Sequence, residues 1–231
     1  MKSSASIYLP ALVILAINIH SESDAQEAPV PRPPAASLKH PSTLATKVDA
    51  AGFIHRWLLL EPIKVSGRLT ESAVQESLQS ESFPNQLSVM PHEGDTITVK
   101  DASLKWHAVD TIHYNVNLYH FAWALNKPTS NILVWAVTVV DAPKEMTGVR
   151  LAIGSNAASE WWLNDEHVIS IYGDRQAVID DGVSMRVTLH KGRNVIRAAI
   201  VNGGGATDFC TRFLDANDQP ITGLSVLLPS Q

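Results

Sequence analysis

The sequence has one cysteine, Cys210, so no intrachain disulfide can form and stability must come from a buried core. It has no basic run: 18 Lys and Arg stand against 23 Asp and Glu, a formal charge of −5. Nucleic acid and anionic membrane are therefore poor partners. It lacks an apolar run long enough for a bilayer. The uncharged stretch over residues 5–19 is about 15 residues, where roughly 20 are needed. Lys2 precedes that stretch and Ser23-Asp24-Ala25 follows it with small residues at the positions cleavage reads. Residues 1–25 thus read as a secretory signal, and the expected location is secreted or periplasmic, with no membrane contact after signal removal. No cysteine lies near the expected cut, which excludes lipid attachment there.

Catalytic signatures are also missing. No Gly-x-Ser-x-Gly elbow occurs. Gly154-Ser155-Asn156 follows a strand pattern, but no helix pattern comes after it. Gly173-Asp174-Arg175 puts an arginine where a Gly-Asp-Ser esterase has its nucleophile. The nine histidines are scattered, without the Cys/His spacing of a zinc site. Asp215-Ala216-Asn217-Asp218-Gln219-Pro220 has oxygen ligands, yet it lacks the glycine and distal glutamate of a calcium loop and reads as a hairpin turn. Asp180-Asp181, Glu160 and Asp165-Glu166 offer carboxylates, but no spacing forces two of them across a cleft. The sequence therefore yields no catalytic residue, no metal ligand and no cofactor.

What is present is β-structure. Hydrophobic residues make up 45% of the chain, enough for a sizeable core. Residues 26–51, with Pro29, Pro31, Pro33, Pro34 and Pro41, read as a proline-rich linker, and residues 52–231 as one domain. A first strand is expected over 53–60. Thr70 caps the one convincing helix, with Val74 and Leu78 on one face. Residues 132–140 are nearly all apolar, rich in β-branched side chains and bounded by prolines, which predicts a strand buried on both faces. Strands follow at 149–153, 161–163, 167–171, 185–189, 195–201, 209–214 and 224–228, and the aromatic stretch 114–123 is read as a distorted strand. Gly154-Ser155-Asn156 is expected to break its strand, and Asn164-Asp165 to make a two-residue hairpin turn. About ten short strands and one helix predict an all-β jelly roll or β-sandwich.

The six tryptophans are the other notable feature. Trp57, Trp123 and Trp135 sit in apolar stretches and belong to the core. Trp161 and Trp162 are adjacent, so in a strand they point to opposite faces. A core on one side only would leave one of them near the surface, where its ring can pack on a ligand. Trp106, between Lys105 and His107, is expected to be partly exposed. Cys210 reads as a small buried hydrophobe.

Several segments carry a resemblance. They are His55-Arg56-Trp57-Leu58-Leu59-Leu60-Glu61-Pro62-Ile63, Phe83-Pro84-Asn85-Gln86, Leu104-Lys105-Trp106-His107-Ala108-Val109-Asp110, and Val134-Trp135-Ala136-Val137-Thr138. Residues 149–156 with Trp161-Trp162-Leu163-Asn164, Lys191-Gly192-Arg193-Asn194-Val195 and Phe213-Leu214-Asp215 add to it. Together the region resembles the galactose-binding-like β-sandwich accessory module of secreted bacterial polysaccharide-degrading proteins, the non-catalytic part of proteins labelled acetylxylan esterase. The resemblance implies carbohydrate attachment or domain packing and brings no catalytic residue with it.

The sequence reading is thus an exported, non-catalytic module that binds a polysaccharide or a carbohydrate-active protein. Its ligand-side candidates are Trp162, Trp106, Asn156, Asp174, Arg175 and Asp208, chosen as one tryptophan of the pair, one other, and polar residues at expected strand ends. Two alternatives stand beside it. One is a structural or protein-interaction module. The other is an acetylxylan-esterase-type deacetylase, which requires Ser155 within hydrogen-bond reach of a histidine.

Overall fold

The computed structural model describes residues 37–65, 70–173 and 176–229. Sixteen strands and two helices follow in chain order. They begin with β1 (Leu38–Lys39), β2 (Ala45–Lys47), β3 (Arg56–Leu60), β4 (Ile63–Lys64), α1 (Glu71–Gln79), β5 (Thr96–Val99), β6 (Ala102–Thr111), β7 (Val116–Asn117) and α2 (Leu118–Ala124). The rest are β8 (Ile132–Ala142), β9 (Met146–Ser155), β10 (Ala158–Leu163), β11 (Glu166–Ile171), β12 (Gly182–Val183), β13 (Val187–Leu189), β14 (Gly192–Asn202), β15 (Asp208–Leu214) and β16 (Ser225–Leu227). The architecture is the expected all-β sandwich. The larger sheet runs β1-β6-β3-β8-β14-β10-β11, and the smaller runs β12-β9-β15-β7.

Alternation along the strands sorts the side chains into two cores. Trp57 and Leu59, Val134 and Ala136, Trp161 and Leu163, and Ile196, Ala198 and Ile200 face the smaller sheet, where they meet Leu151, Ile153, Phe209 and Phe213. Trp57, Trp161 and Phe209 form a triangle of edge-to-face rings at 5.0–6.2 Å, the arrangement aromatic quadrupoles favour. The alternate residues Leu58, Leu60, Trp106, Trp135, Val137, Trp162 and Val201 point the other way, into a second core closed by Leu78 of α1 and Phe83. The prediction that 132–140 is buried on both faces is therefore met.

Three local expectations need correction. Residues 37–51 belong to the sandwich rather than to a linker: β1 pairs with β6, β2 pairs with β16, and Leu38 and Val48 are buried in the inner core. The stretch 114–123 is mostly a helix, α2. The Asn117 side chain caps it by accepting from His120 N, and Leu118, Phe121 and Ala122 bury one face. Gly154 and Ser155 lie inside β9, paired with Cys210 and Phe209, and do not break it. Thr70 caps α1 as expected, its hydroxyl accepting from Ala73 N, and Asn164-Asp165 turns with φ of 51° and 71°.

Glycine at 154 has a packing reason. A Cβ there would lie 2.4 Å from the Val178 carbonyl oxygen and 3.0 Å from Cys210 Sγ. At Gly204 a Cβ would meet nothing within 4 Å. Gly154→Ala is expected to lower stability by about 1–3 kcal/mol through overpacking, and Gly204→Ala to stay within about 0.5 kcal/mol of the parent. Urea unfolding of both variants checks this; an unperturbed Gly154→Ala midpoint would contradict the close crossing of Val178 over β9.

Candidate functional site

A β-bulge places the principal constellation. In the β10–β11 hairpin Glu160 pairs with Ser170 and Trp161 with Ile169, but the register then slips so that Trp162 pairs with His167. The extra residue, Val168, restores His167 and Ser170 to the face that carries Glu160 and Trp162. Bulges re-aim side chains in this way. The result is a shallow cleft of about 340 Å³ between this hairpin and α1. Leu78, Gln79, Gln86, Leu87, Glu160, Trp162, His167 and Ser170 line it.

The polar groups there are tied to one another. Tyr172 Oη donates to Glu160 Oε1 at 2.5 Å, while Glu160 Oε2 faces His167 Nε2 at 4.0 Å. Ser170 Oγ lies 3.0 Å from the same Nε2, and Gln79 Nε2 reaches Tyr172 Oη at 3.5 Å. Glu160 itself is buried, while the His167 side chain is 46% exposed. Burial and the neighbouring Glu160 carboxylate hold the Tyr172 hydroxyl above its ordinary pKa, so it stays a donor. Serine and carboxylate both address Nε2, so His167 cannot relay a proton between them as a catalytic triad does through two ring nitrogens.

A second pocket of about 440 Å³ opens at the loop end of the sandwich. Val74, Ala157, Ala158 and Val201 give it an apolar floor, and Glu71, Asn156, Asn202, Gly173, Gly203, Gly204 and Ala206 wall it. The two asparagines build the wall. Asn156 Nδ2 donates to the Ala206 carbonyl and its Oδ1 accepts from Asp208 N. Asn202 Nδ2 donates to the Thr129 carbonyl and its Oδ1 accepts from Gly204 N.

The six sequence candidates fall unevenly. Trp162 lines the cleft and Asn156 the loop-end pocket. Asp174 and Arg175 lie outside the described residues. Trp106 is buried to 1% exposure, contrary to expectation, because Phe83 stacks edge-on against it. Trp162 too is only 7% exposed, its ring stacked on Trp135 at 5.5 Å. The expectation that one of Trp161 and Trp162 would sit near the surface assumed a core on one side only; covers on both faces bury both rings. Asp208 lines neither pocket, and its Oδ1 is buried without a hydrogen-bond partner. The residues sequence reasoning missed are Glu160, His167, Ser170 and Tyr172 as a group.

The esterase alternative built on Ser155 does not survive. Ser155 is fully buried, its hydroxyl donates to the Ala157 carbonyl, and no histidine is bonded to it. Cys210 is buried, as expected, and burial pushes its thiol up to about 11, which makes it unreactive. Asp215 Oδ1 accepts from Asn217 N and Gln219 N, the bonds of an ordinary turn. Among the described residues no group of three His, Cys, Asp or Glu is arranged to hold a metal.

No family model matches this sequence, and no curated protein matches it. Among solved structures, a PA14 sugar-binding domain from an RTX adhesin overlays 74% of this chain and 96% of its own length, at 11% identity and a TM-score of 0.42. A β-glucosidase from Kluyveromyces marxianus, solved in complex with glucose, overlays 54% of this chain at 16% identity and a TM-score of 0.38. This chain spans 16% of that glucosidase. Neither overlap assigns a residue role here.

Asp208 supplies a test of the loop-end architecture. Burial lifts its carboxyl above the ordinary range, against the opposing influence of Asn115 and His120. A carboxylate with a raised folded pKa weakens the native state where it is ionised, and the penalty vanishes as pH falls below the unfolded value of about 4. Asp208→Asn is therefore expected to stabilise the protein at pH 7 by on the order of 1 kcal/mol, with the gain disappearing near pH 3. Thermal melts across that range check it; a destabilised variant at pH 7 would mean that the Asp208 charge is needed.

Proposed function

We propose that this chain is a non-catalytic carbohydrate-binding β-sandwich module, and that a sugar ring binds in the Trp162 cleft. One observation carries the reading: in a single shallow cleft the Trp162 indole, an imidazole, a carboxylate bonded through one oxygen to Tyr172 and facing His167 with the other, a serine hydroxyl and an amide converge over Leu78 and Leu87. Sugars present apolar C–H faces edged with hydroxyls. They need an apolar floor and a few convergent polar groups that both donate and accept. Glu160 Oε2 accepts a hydroxyl, while His167, Ser170 and Gln79 donate or accept as the ring demands. The signal-like pattern of residues 1–25 supports a location outside the cytoplasm. The sequence resemblance supports an accessory role in polysaccharide breakdown, with plant polysaccharides such as xylan as first ligands to try.

A protein-interaction module is the second reading, and it has an observation of its own. Val178, Ile179, Val183 and Met185 are exposed along one segment at the edge of the smaller sheet, Met185 to 85%. Exposed apolar side chains in one place mark contact surfaces.

The expected result is saccharide binding by the full chain in isothermal titration. His167→Ala and Ser170→Ala should each lower affinity at least fivefold with the melting temperature unchanged, and Trp162→Phe should lower it less. Acetylated xylan should release no acetate. Parent-like affinity in both alanine variants would displace the site, acetate release would overturn the non-catalytic assignment, and no binding to any glycan would leave the interaction module standing.

A further inference from the structure

The cleft and the loop-end pocket are lined by different residues of the same elements. Helix α1 runs along both: Glu71 and Val74 in its first half line the pocket, Leu78 and Gln79 at its end line the cleft. Its nine residues span roughly 14 Å. On β10 Ala158 lines the pocket, and the next two residues on the same face, Glu160 and Trp162, line the cleft. After β11, Gly173 borders the pocket, while Tyr172 before it bonds Glu160 and Gln79 of the cleft. Tyr172 is the sill between two hollows cut into one seam.

Among the described residues, the charged side chains lining the seam are Glu71 and Glu160, with His167 beside the latter. Glu71 stands at the pocket and Glu160 in the cleft, and among the described residues no lysine or arginine lines either. Arg197, paired in register with Trp162, is neutralised by Asp165 Oδ1 at 2.6 Å and roofed by Val89 and Met90. The lysines of this region, Lys64 and Lys100, line a separate hollow on the other flank of α1. A ligand carboxylate or sulfate in the seam would meet two carboxylates and no described cation, whereas a hydroxyl or an ammonium would be accepted by both.

We infer that the cleft and the loop-end pocket are two subsites of one groove, which takes a linear oligosaccharide of two or more units, neutral or bearing free amino groups, and rejects acidic chains. The inference rests on the carbohydrate reading above and adds length and charge selectivity to it. Each hollow is near the lower end of the roughly 300–1,000 Å³ range of small-molecule sites, so each suits a short piece of chain, and Tyr172 lies where the linkage would cross.

The test is a titration series on the full chain with glucosamine, its tetramer, xylotetraose and tetragalacturonate. The tetramer is expected to bind at least tenfold more tightly than glucosamine, and tetragalacturonate at least tenfold more weakly than xylotetraose. Gly204→Leu adds bulk at the pocket wall from a position where a Cβ meets no neighbour within 4 Å. It should cost the tetramers three- to tenfold while leaving glucosamine unchanged. The double variant Glu71→Gln, Glu160→Gln should raise tetragalacturonate affinity. Equal affinities for monomer and tetramer, or a Gly204→Leu effect on both or on neither, would overturn the two-subsite groove while leaving the cleft reading intact. Preference for tetragalacturonate would overturn the charge assignment. If none of the four saccharides binds, the carbohydrate reading falls and this inference with it.

Discussion

The central strands of the larger sheet are buried on both faces, and everything else in the molecule answers to that. Strands β3, β8 and β14 carry no polar face: all five residues of β3 are buried, and ten of the eleven in β8. A sheet of that composition cannot leave either face in water. The smaller sheet covers one side. The other is covered by α1 and the segment around Phe83, a thin layer whose apolar contribution is Leu78, Phe83 and the partly buried Val74, Leu87 and Val89. Each indole beneath these covers removes about 150–250 Å² from water, roughly 4–6 kcal/mol of gross transfer free energy. The tryptophans therefore hold the layers together before they do anything else.

A thin cover leaves seams, and the seams hold the polar chemistry. Arg197 shows how the cover is fastened. It lies at 2% exposure on the outer face, donates to the Val89 carbonyl and is charge-balanced by Asp165. Burial pulls its guanidinium below the ordinary pKa, and Asp165 opposes that shift. A buried cation with one carboxylate contributes little net stability, but it does fix where the chain must sit. Where the cover ends, along the far edge of α1, Glu160 and Tyr172 satisfy each other and His167 and Ser170 emerge to solvent. At the loop end Asn156 and Asn202 do the equivalent for a backbone that has left the sheet. They bond the loop from Gly204 to Asp208, so the pocket wall is built by side chains and not by strand pairing.

Much of this was legible in the sequence where the cause was local. The Asn164-Asp165 turn, the Thr70 cap, the doubly buried strand near 132–140 and the burial of Cys210 each follow from residues within a few positions. The misreadings share a different cause. Residues 37–51 look like a linker because they follow the prolines at 29–34 and are themselves rich in small residues around Pro41; their place in the sandwich depends on β6 and β16, far along the chain. Helix α2 is rich in aromatics that favour strands, and only the Asn117 cap with the spacing of Leu118, Phe121 and Ala122 betrays it. Opposite orientation was the right reading of Trp161 and Trp162. The exposure inferred from it was not, since the cover over Trp162 comes from residues about 75–85 positions earlier.

The site was the least legible part, for a reason specific to β-structure. In a regular hairpin His167 and Ser170, three residues apart, would lie on opposite faces of β11. They share a face only because the strand slips by one residue at Val168, and a one-residue slip changes the face of every side chain beyond it. Nothing in Glu166-His167-Val168-Ile169-Ser170 announces that slip. Its position is set by the apolar residues on either side: Trp161 and Ile169 must both reach the inner core, while Trp162 must lie on Trp135 in the outer one. The two-residue Asn164-Asp165 turn pairs Leu163 with Glu166 and Trp162 with His167, and regular counting from there would turn Ile169 outward; bringing it inward opposite Trp161 requires the extra residue. The turn register and the inward placement of Ile169 and Ile171 thus together turn His167 and Ser170 toward Glu160 and create the cleft.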